Sequence, residues 1–255
     1  MMKARLSWIA GAVLLVIAAV CLFGLPGDEK KGIVTYTDGQ VKKSLTIEET
    51  WLDAPVNTEI LTGDRVRTYR ESRAELNLAR LDVIRLAPRT TIHVSKLYEE
   101  SKEKKIQTAI HLEEGDLWAS IHQVEAATEF DISAPIAAAA ITGTVLRMKV
   151  KEDTTTQLKV YEGEVKIRNR PQALVPQQRS LAPHEVPGPY EIPGPREVTV
   201  EEWFYIIQAM QQITIDKKGA VVSRSDFSLE DAEEQSDWVT WNRQRDRRKT
   251  KRITE

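Results

Sequence analysis

The chain has 255 residues, of which 41% are hydrophobic and 29% are charged. This composition is typical of a globular protein and excludes collagen-like, largely disordered and polytopic membrane classes. The formal net charge is −2 and becomes −4 when the two basic residues near the start, Lys3 and Arg5, are left out, so no nucleic-acid partner is expected. The single cysteine, Cys21, lies in an apolar run, and the remaining chain therefore has no thiol for a disulfide, a nucleophile or a metal.

The apolar run at residues 6–25 contains 20 residues and no charge. At about 1.5 Å per residue it would cross the roughly 30 Å hydrocarbon core of a bilayer as one helix. Because Lys3 and Arg5 precede it, the sequence predicts a cytoplasmic start at residues 1–5 and an exported remainder, in a single-pass inner-membrane protein. A cleaved signal peptide and a lipoprotein signal ending at Cys21 are the alternatives.

Residues 32–169 alternate between apolar and polar side chains, as at 106–112 and 146–150. Such a period of two indicates half-buried strands, and turn signals divide the range into a dozen or so of them. The sequence therefore predicts an all-β domain, a sandwich or jelly-roll-like barrel. A Gly-acid-x-apolar element recurs as GDRV, GDLW and GEVK, so a coiled β-roll of repeats is the alternative.

Several turn residues are expected to be structural, because a turn often requires a positive φ that glycine adopts without strain. This set consists of Gly39, Gly63, Asp64, Gly115, Asp116, Gly143, Thr144 and Gly163. The acids that follow turn glycines, among them Glu164, are expected to bind nearby backbone amides. A shared acidic site at one edge of the domain is the alternative.

The carboxy-terminal third has three parts. Residues 171–197 are rich in proline and predict an extended connector. Residues 198–224 predict a helix and a hairpin: Thr199 and Glu202 are expected to form a capping box, and Trp203, Ile206, Ile207 and Met210 share one helical face. Residues 225–255 form a tail in which acids precede bases.

The basic end of this tail is a candidate contact for phosphates, anionic lipid or acidic glycans, with two tryptophans beside it that could insert at a membrane interface. A solvated, disordered extension with the tryptophans packed on the domain is the alternative. The contact residues of this hypothesis are Trp238, Trp241, Arg243, Arg245, Arg247, Arg248, Lys249, Lys251 and Arg252.

A series of short motifs resembles the bacterial FecR-type domain in order and spacing. They are WLDA from Trp51, LTGD from Leu61, VRT from Val66, SRAEL from Ser72, IRL from Ile84, LEEGDLW from Leu112, FDISAP from Phe130, GT at Gly143 and VYEGEV from Val160. The resemblance covers residues 32–167. It implies an all-β extracytoplasmic module on a single membrane anchor. In iron-uptake members of the family, a cytoplasmic amino-terminal domain acts on a sigma factor. Residues 1–5 cannot hold such a domain, so no direct sigma-factor contact is expected.

Catalytic and metal-binding patterns are missing from the sequence. The four histidines, His93, His111, His122 and His184, are not at ligand spacing, so neither a metal nor another cofactor is predicted. Nucleophile, phosphate-loop and dinucleotide fingerprints are absent, and no enzyme activity is expected. Trp51 and Trp118 are expected to cap the core, with a ligand platform as the alternative. The sequence thus predicts a recognition or signal-receiving module with an envelope protein or polymer as partner. The alternative is a structural or glycan-associated envelope protein.

Overall fold

The computed structural model describes residues 31–45, 50–79, 82–100, 105–122, 128–169 and 204–254. The expected cytoplasmic start, membrane span, Cys21, His184 and proline-rich connector lie outside these residues. Within the part that is described, no helix is both long enough and apolar enough to cross a membrane.

The described chain is all-β with one carboxy-terminal helix. Its strands are β1 (Gly32–Asp38), β2 (Val41–Leu45), β3 (Leu52–Asp53), β4 (Glu59–Ile60), β5 (Asp64–Thr68), β6 (Arg73–Ala79), β7 (Asp82–Leu86), β8 (Thr91–Glu100), β9 (Lys105–Ser120), β10 (Thr128–Ser133), β11 (Ala137–Ile141), β12 (Val145–Val150), β13 (Thr156–Glu162), β14 (Glu164–Asn169), β15 (Phe204–Gln208), β16 (Gln211–Ile215) and β17 (Val221–Asp226). The helix is α1 (Asp237–Thr254).

The strands pair into two sheets that share β9. Sheet A has the order β3-β2-β5-β8-β9-β10-β11-β14-β15. Sheet B has the order β4-β1-β6-β7-β9-β12-β13-β16-β17. The first part of β9 pairs with β8 and β10, and its last six residues, from Gly115, pair with β12. The pairing of β9 with β10 is parallel, and the other pairings in these two orders are antiparallel.

One apolar core lies between the sheets. Val34, Leu76 and Ile84 of sheet B and Ile110 and Ile132 of sheet A are fully buried within it. The alternation that predicts strands also selects the core, because successive strand residues point to opposite faces. In β5, for example, the buried and half-buried residues alternate without exception.

The predicted helix at 199–210 is wrong over its described residues. Phe204–Gln208 is strand β15, which pairs along its length with β14, and Gln211–Ile215 is strand β16. Ile207 is fully buried while Ile206 is exposed. β-branched and aromatic side chains favour strands, so an available sheet edge overrides a weak helical pattern. Strands β16 and β17 form an antiparallel hairpin.

Candidate recognition surface

A single row of side chains crosses the outer face of sheet B at right angles to the strands. Register places one residue of each of seven neighbouring strands in this row: Tyr36, Glu75, Arg85, Trp118, Arg147, Lys159 and Gln212. Arg85, Arg147 and Lys159 are buried, although they lie on the face away from the core. Buried cations need both a cover and opposite charges.

The chain after β17, residues 227–254, provides that cover and is called the carboxy-terminal segment. The N–H of Thr240 donates to the carbonyl of Ser236 at 3.0 Å, so Ser236 stands at the start of α1. Trp238, Val239 and Asn242 are buried, and their spacing places them on one side of the helix. Trp238 and Val239 join Trp118 in a second apolar cluster outside sheet B.

Arg85 is the centre of the polar contact between α1 and the sheet. Its guanidinium lies 2.7 Å from Glu75 Oε2 and 2.7 Å from Asp246 Oδ1, and it donates to Asn242 Oδ1 at 3.3 Å. Arg245 of the helix also donates to Glu75, at 2.8 Å. Burial raises the pKa of Glu75, but the hydrogen bonds from Arg245 and Arg85 outweigh it and lower this pKa to about 2. Glu75 therefore remains ionised between two guanidinium groups.

Asp116 joins the domain to the first turn of α1. It accepts hydrogen bonds from two nitrogens of Arg147, Nε at 2.9 Å and Nη2 at 2.6 Å, and one from Trp238 Nε1 at 3.2 Å. Burial lowers the pKa of Arg147, whereas the hydrogen bond and charge of Asp116 raise it above the ordinary arginine value. Trp118 Nε1 donates to Asp246 at 2.9 Å, so each indole is held by a carboxylate from the opposite side of the interface.

Lys159 anchors the segment that leads into the helix. Its ammonium group donates to Glu233 and Glu234, at 2.8 and 2.7 Å, and Tyr161 donates to Glu234 at 2.7 Å. Burial lowers the pKa of Lys159, but the two carboxylates outweigh burial, and the pKa is raised above the ordinary lysine value. The pKa of Glu233 is lowered, because its contact with Lys159 outweighs the effect of its own burial. Burial and the hydrogen bond to Glu234 raise the pKa of Tyr161. The acidic half of the tail therefore neutralises cations of the sheet.

A groove of about 790 Å³ opens beside the first turn of α1. Gly115, Asp116 and Arg147 of the β domain form one part of its lining, and Ser236 and Trp238 form another. The turn that connects β12 to β13 completes the groove and contributes charges of both signs, from Lys151 to Asp153. The domain and the carboxy-terminal segment are thus both required to shape this groove.

The outer face of sheet A contains a tryptophan with two arginines over its ring and a pair of facing histidines. Arg65 and Arg67 lie over the ring of Trp51, with the guanidinium carbons 5.3 and 4.5 Å from its centroid. His93 is directly opposite His111, whose Nδ1 is 3.0 Å from Ser133 Oγ. In the described part of the chain, no group of three or more potential ligands is placed to hold a metal.

The expected turn residues lie at separate places in the fold. Gly39, Gly63, Gly115, Gly143 and Gly163 all have a positive φ. The predicted turn at Gly115 and Asp116 is wrong, however: both residues lie within β9, at the point where its pairing passes from β8 to β12. Asp64 is fully buried, accepts the N–H of Leu61 at 2.8 Å and pairs with Lys43 at 2.8 Å. Thr144 is buried and donates to the carbonyl of Glu164 at 3.0 Å.

The alternative of a shared acidic site is not supported. Asp64 pairs with Lys43, whereas Asp116 pairs with Arg147, and the Glu164 side chain is exposed. The two aspartates therefore belong to different ion pairs, and Asp116 is part of the α1 interface.

Two expectations about tryptophans need correction. Trp118 does not cap the main core: it lies on the outer face of sheet B under α1. Trp238 is 8% exposed, and Trp241 stacks on it with 5.6 Å between ring centroids. Both indoles therefore pack on the domain, Trp238 buried and Trp241 half-buried, and this arrangement does not favour their insertion at a membrane interface. The alternative of a disordered extension is right that the tryptophans pack on the domain but wrong about disorder, since residues 237–254 are helical.

The basic tail residues divide between the two sides of α1. Arg245 faces sheet B and binds Glu75. Arg247 and Arg248 are exposed, and Arg243 is half-buried. Lys249, Lys251 and Arg252 lie in the same helix, but their side chains are outside the described set.

Sequence reasoning missed Glu75, Arg85, Arg147 and Lys159. Each occupies the outward phase of a strand, where alternation predicts an ordinary solvated charge. Each also has a partner in the tail, more than 70 residues away in sequence: Arg245 for Glu75, Asp246 for Arg85, and Glu233 for both Arg147 and Lys159. The only signal in the sequence is the complementary order of charges in the tail.

Comparison with protein families identifies the class of the β domain. Residues 64–166, from β5 into β14, match the FecR protein family. The chain therefore contains a FecR domain, which confirms the resemblance seen in its motifs over this range.

No curated protein sequence matches the chain. Two crystal structures of a candidate anti-sigma factor from Parabacteroides distasonis are similar to it, with 12% and 11% identity and TM-scores of 0.44 and 0.43. Each match covers 64% of this chain and 59% of the other, so this chain spans less than two thirds of those proteins.

Proposed function

We propose that this protein is a non-catalytic module outside the cytoplasmic membrane that recognises a protein partner and thereby receives a signal. The FecR domain supports a role connected with signalling. The apolar run at 6–25 supports attachment to the inner membrane by a single span, with a lipid on Cys21 as the alternative. The partner is an envelope protein in the same compartment.

The observation that carries this proposal is the groove beside α1. Its lining comes from both the FecR domain and the carboxy-terminal segment, and Asp116 connects the two through Arg147 and Trp238. A bound segment of a partner would therefore touch both parts at once. Contacts between charges in such a groove contribute mainly to specificity and association rate.

The experiment places a photo-crosslinking amino acid at Lys151, an exposed residue of the groove lining, in the full chain in intact bacterial cells. The matched control carries it at Lys218, which is equally exposed in the turn between β16 and β17. We expect one protein adduct from position 151 and none from position 218. The change Glu152→Lys, which reverses a charge of the groove lining, should reduce the yield at position 151.

Equal adducts at both positions, or none at position 151, would contradict recognition through the groove. Adducts that disappear after digestion of the cell-wall polymer would instead support the structural or glycan-associated alternative.

A further inference from the structure

The outer side of α1 is the strongest unexplained feature among the described residues. Residues 243–252 contain seven basic residues and one acid, Asp246. The acid and Arg245 are used in the interface, where they pair with Arg85 and Glu75. Docking therefore removes the only negative charge of this stretch from the exposed side of the helix.

The remaining described cations lie on the opposite side. With about 100° of rotation per residue, exposed Arg247 and Arg248 lie roughly 140° and 120° from buried Asn242 around the helix, and half-buried Arg243 lies roughly 100° from it at the edge of the outer side. None of these three guanidinium groups has an ion pair or a hydrogen bond within the described parts of the chain. Their positions are fixed by a helix that is itself anchored on sheet B.

We propose that the outer side of α1 binds anionic phospholipid headgroups while its inner side remains docked on sheet B. Charge complementarity favours an anionic partner, since this side presents guanidinium groups without a neighbouring acid. A membrane is favoured over a nucleic acid because the protein as a whole is acidic and carries its own apolar run at residues 6–25. The contact is electrostatic and does not require the tryptophans, which face the sheet.

The membrane as partner goes beyond the proposed groove and does not depend on it. A vesicle-binding assay tests the membrane contact separately from the groove. The full chain is held in nanodiscs of neutral phosphatidylcholine, and its binding to separately added vesicles is measured. The probe is phosphatidylglycerol vesicles that can be sedimented, with phosphatidylcholine vesicles, soluble glycerol phosphate and duplex DNA as the other arms.

The test variant is R243Q/R247Q/R248Q. Its matched control is R70Q/K217Q/K218Q, which removes three exposed cations elsewhere and has the same net charge. One basic residue near an anionic surface changes the binding constant about fivefold, so the test variant should bind on the order of 100-fold more weakly. The control should bind like the wild type.

Added salt should abolish the wild-type binding, because it shortens the Debye length, which is near 8 Å at physiological ionic strength, and so screens the contact. Tryptophan emission should not shift to the blue on binding, because Trp238 and Trp241 remain against the domain. Several results would overturn the proposal: no sedimentation with phosphatidylglycerol vesicles, equal loss in the two triple variants, a blue shift, full competition by glycerol phosphate, or tighter binding to DNA than to vesicles.

Discussion

Gly115 stands at the point where β9 passes from sheet A to sheet B. Its φ is +101°, and a Cβ at this position would lie 2.5 Å from Thr90 Cα. Gly63 also has a positive φ, +88°, but a Cβ there would meet nothing within 4 Å. Backbone strain alone therefore acts at Gly63, whereas strain and a collision with backbone act at Gly115.

We expect Gly63→Ala to lower the free energy of unfolding by about 1 kcal/mol through backbone strain. Gly115→Ala should lower it by about 3 kcal/mol, because the collision adds an overpacking cost. Urea unfolding of the two variants measures both values. Equal losses would show that close contact with Thr90 is not what requires glycine in β9.

Glu75 gives the α1 interface a defined pH dependence. Its pKa is about 2 in the folded protein against the ordinary glutamate value of 4.5, so the folded state binds its proton more weakly. A depressed carboxyl pKa contributes stability that is fully present above about pH 5 and is lost as the pH falls toward 2.

Glu75→Gln should lower the free energy of unfolding at pH 7 by on the order of 3 kcal/mol, because two guanidinium groups lose their shared carboxylate. The difference from the wild type should stay constant between pH 7 and 5 and shrink below that. A difference that persists at pH 2 would mean that the charge of Glu75 is not the cause.

At the scale of the elements, the sequence predicts much of the β domain but not the docking of the carboxy-terminal segment on sheet B. Alternation of apolar and polar residues identifies strands wherever one face of a sheet is buried. The motifs within residues 64–166 lie in the range that matches the FecR protein family. Register between strands distant in sequence is not contained in local pattern, and the row from Tyr36 to Gln212 depends on it entirely. The helix at 237–254 has a narrow apolar side, so its docking depends on partners that local sequence does not reveal.

Strand β15 can be distinguished from the helix that the sequence predicts by comparing two adjacent isoleucines. Ile207→Ala should lower the free energy of unfolding by about 3 kcal/mol, since Ile207 is fully buried. Ile206→Ala should change it by less than about 0.5 kcal/mol, because Ile206 is exposed. Thermal or urea unfolding measures both, and similar losses would favour the helix, in which the two residues share a face.

The docking of α1 on sheet B can be tested at Asp246, the acid of the helix that contacts Arg85 and Trp118. Asp246→Asn weakens the hydrogen bond from Trp118 and removes the second counter-charge of Arg85, which is 1% exposed. Disruption of a buried ion pair costs about 3 kcal/mol. The control Arg247→Gln, on the outer side, should be neutral in unfolding experiments. If both variants unfold together with the wild type, Asp246 makes no net contribution to the interface.

At the scale of the whole molecule, the FecR domain and the carboxy-terminal segment form one unit. The segment contributes carboxylates at Glu233, Glu234 and Asp246, and each meets a cation of sheet B. The segment in turn completes the groove and presents its remaining cations to solvent. Both proposals, partner recognition in the groove and lipid binding on the helix, depend on this docking.

Hydrogen exchange of the full chain under native conditions measures that docking most directly. Amides at residues 240–248 should exchange slowly, with protection comparable to that of β7 and β12 beneath them, because a packed helix exchanges only when it leaves the sheet. In the Asp246→Asn variant the same amides should exchange faster, while those of sheet A remain unchanged. Exchange over residues 240–248 at the rate of an unfolded peptide in the wild type would contradict a docked helix.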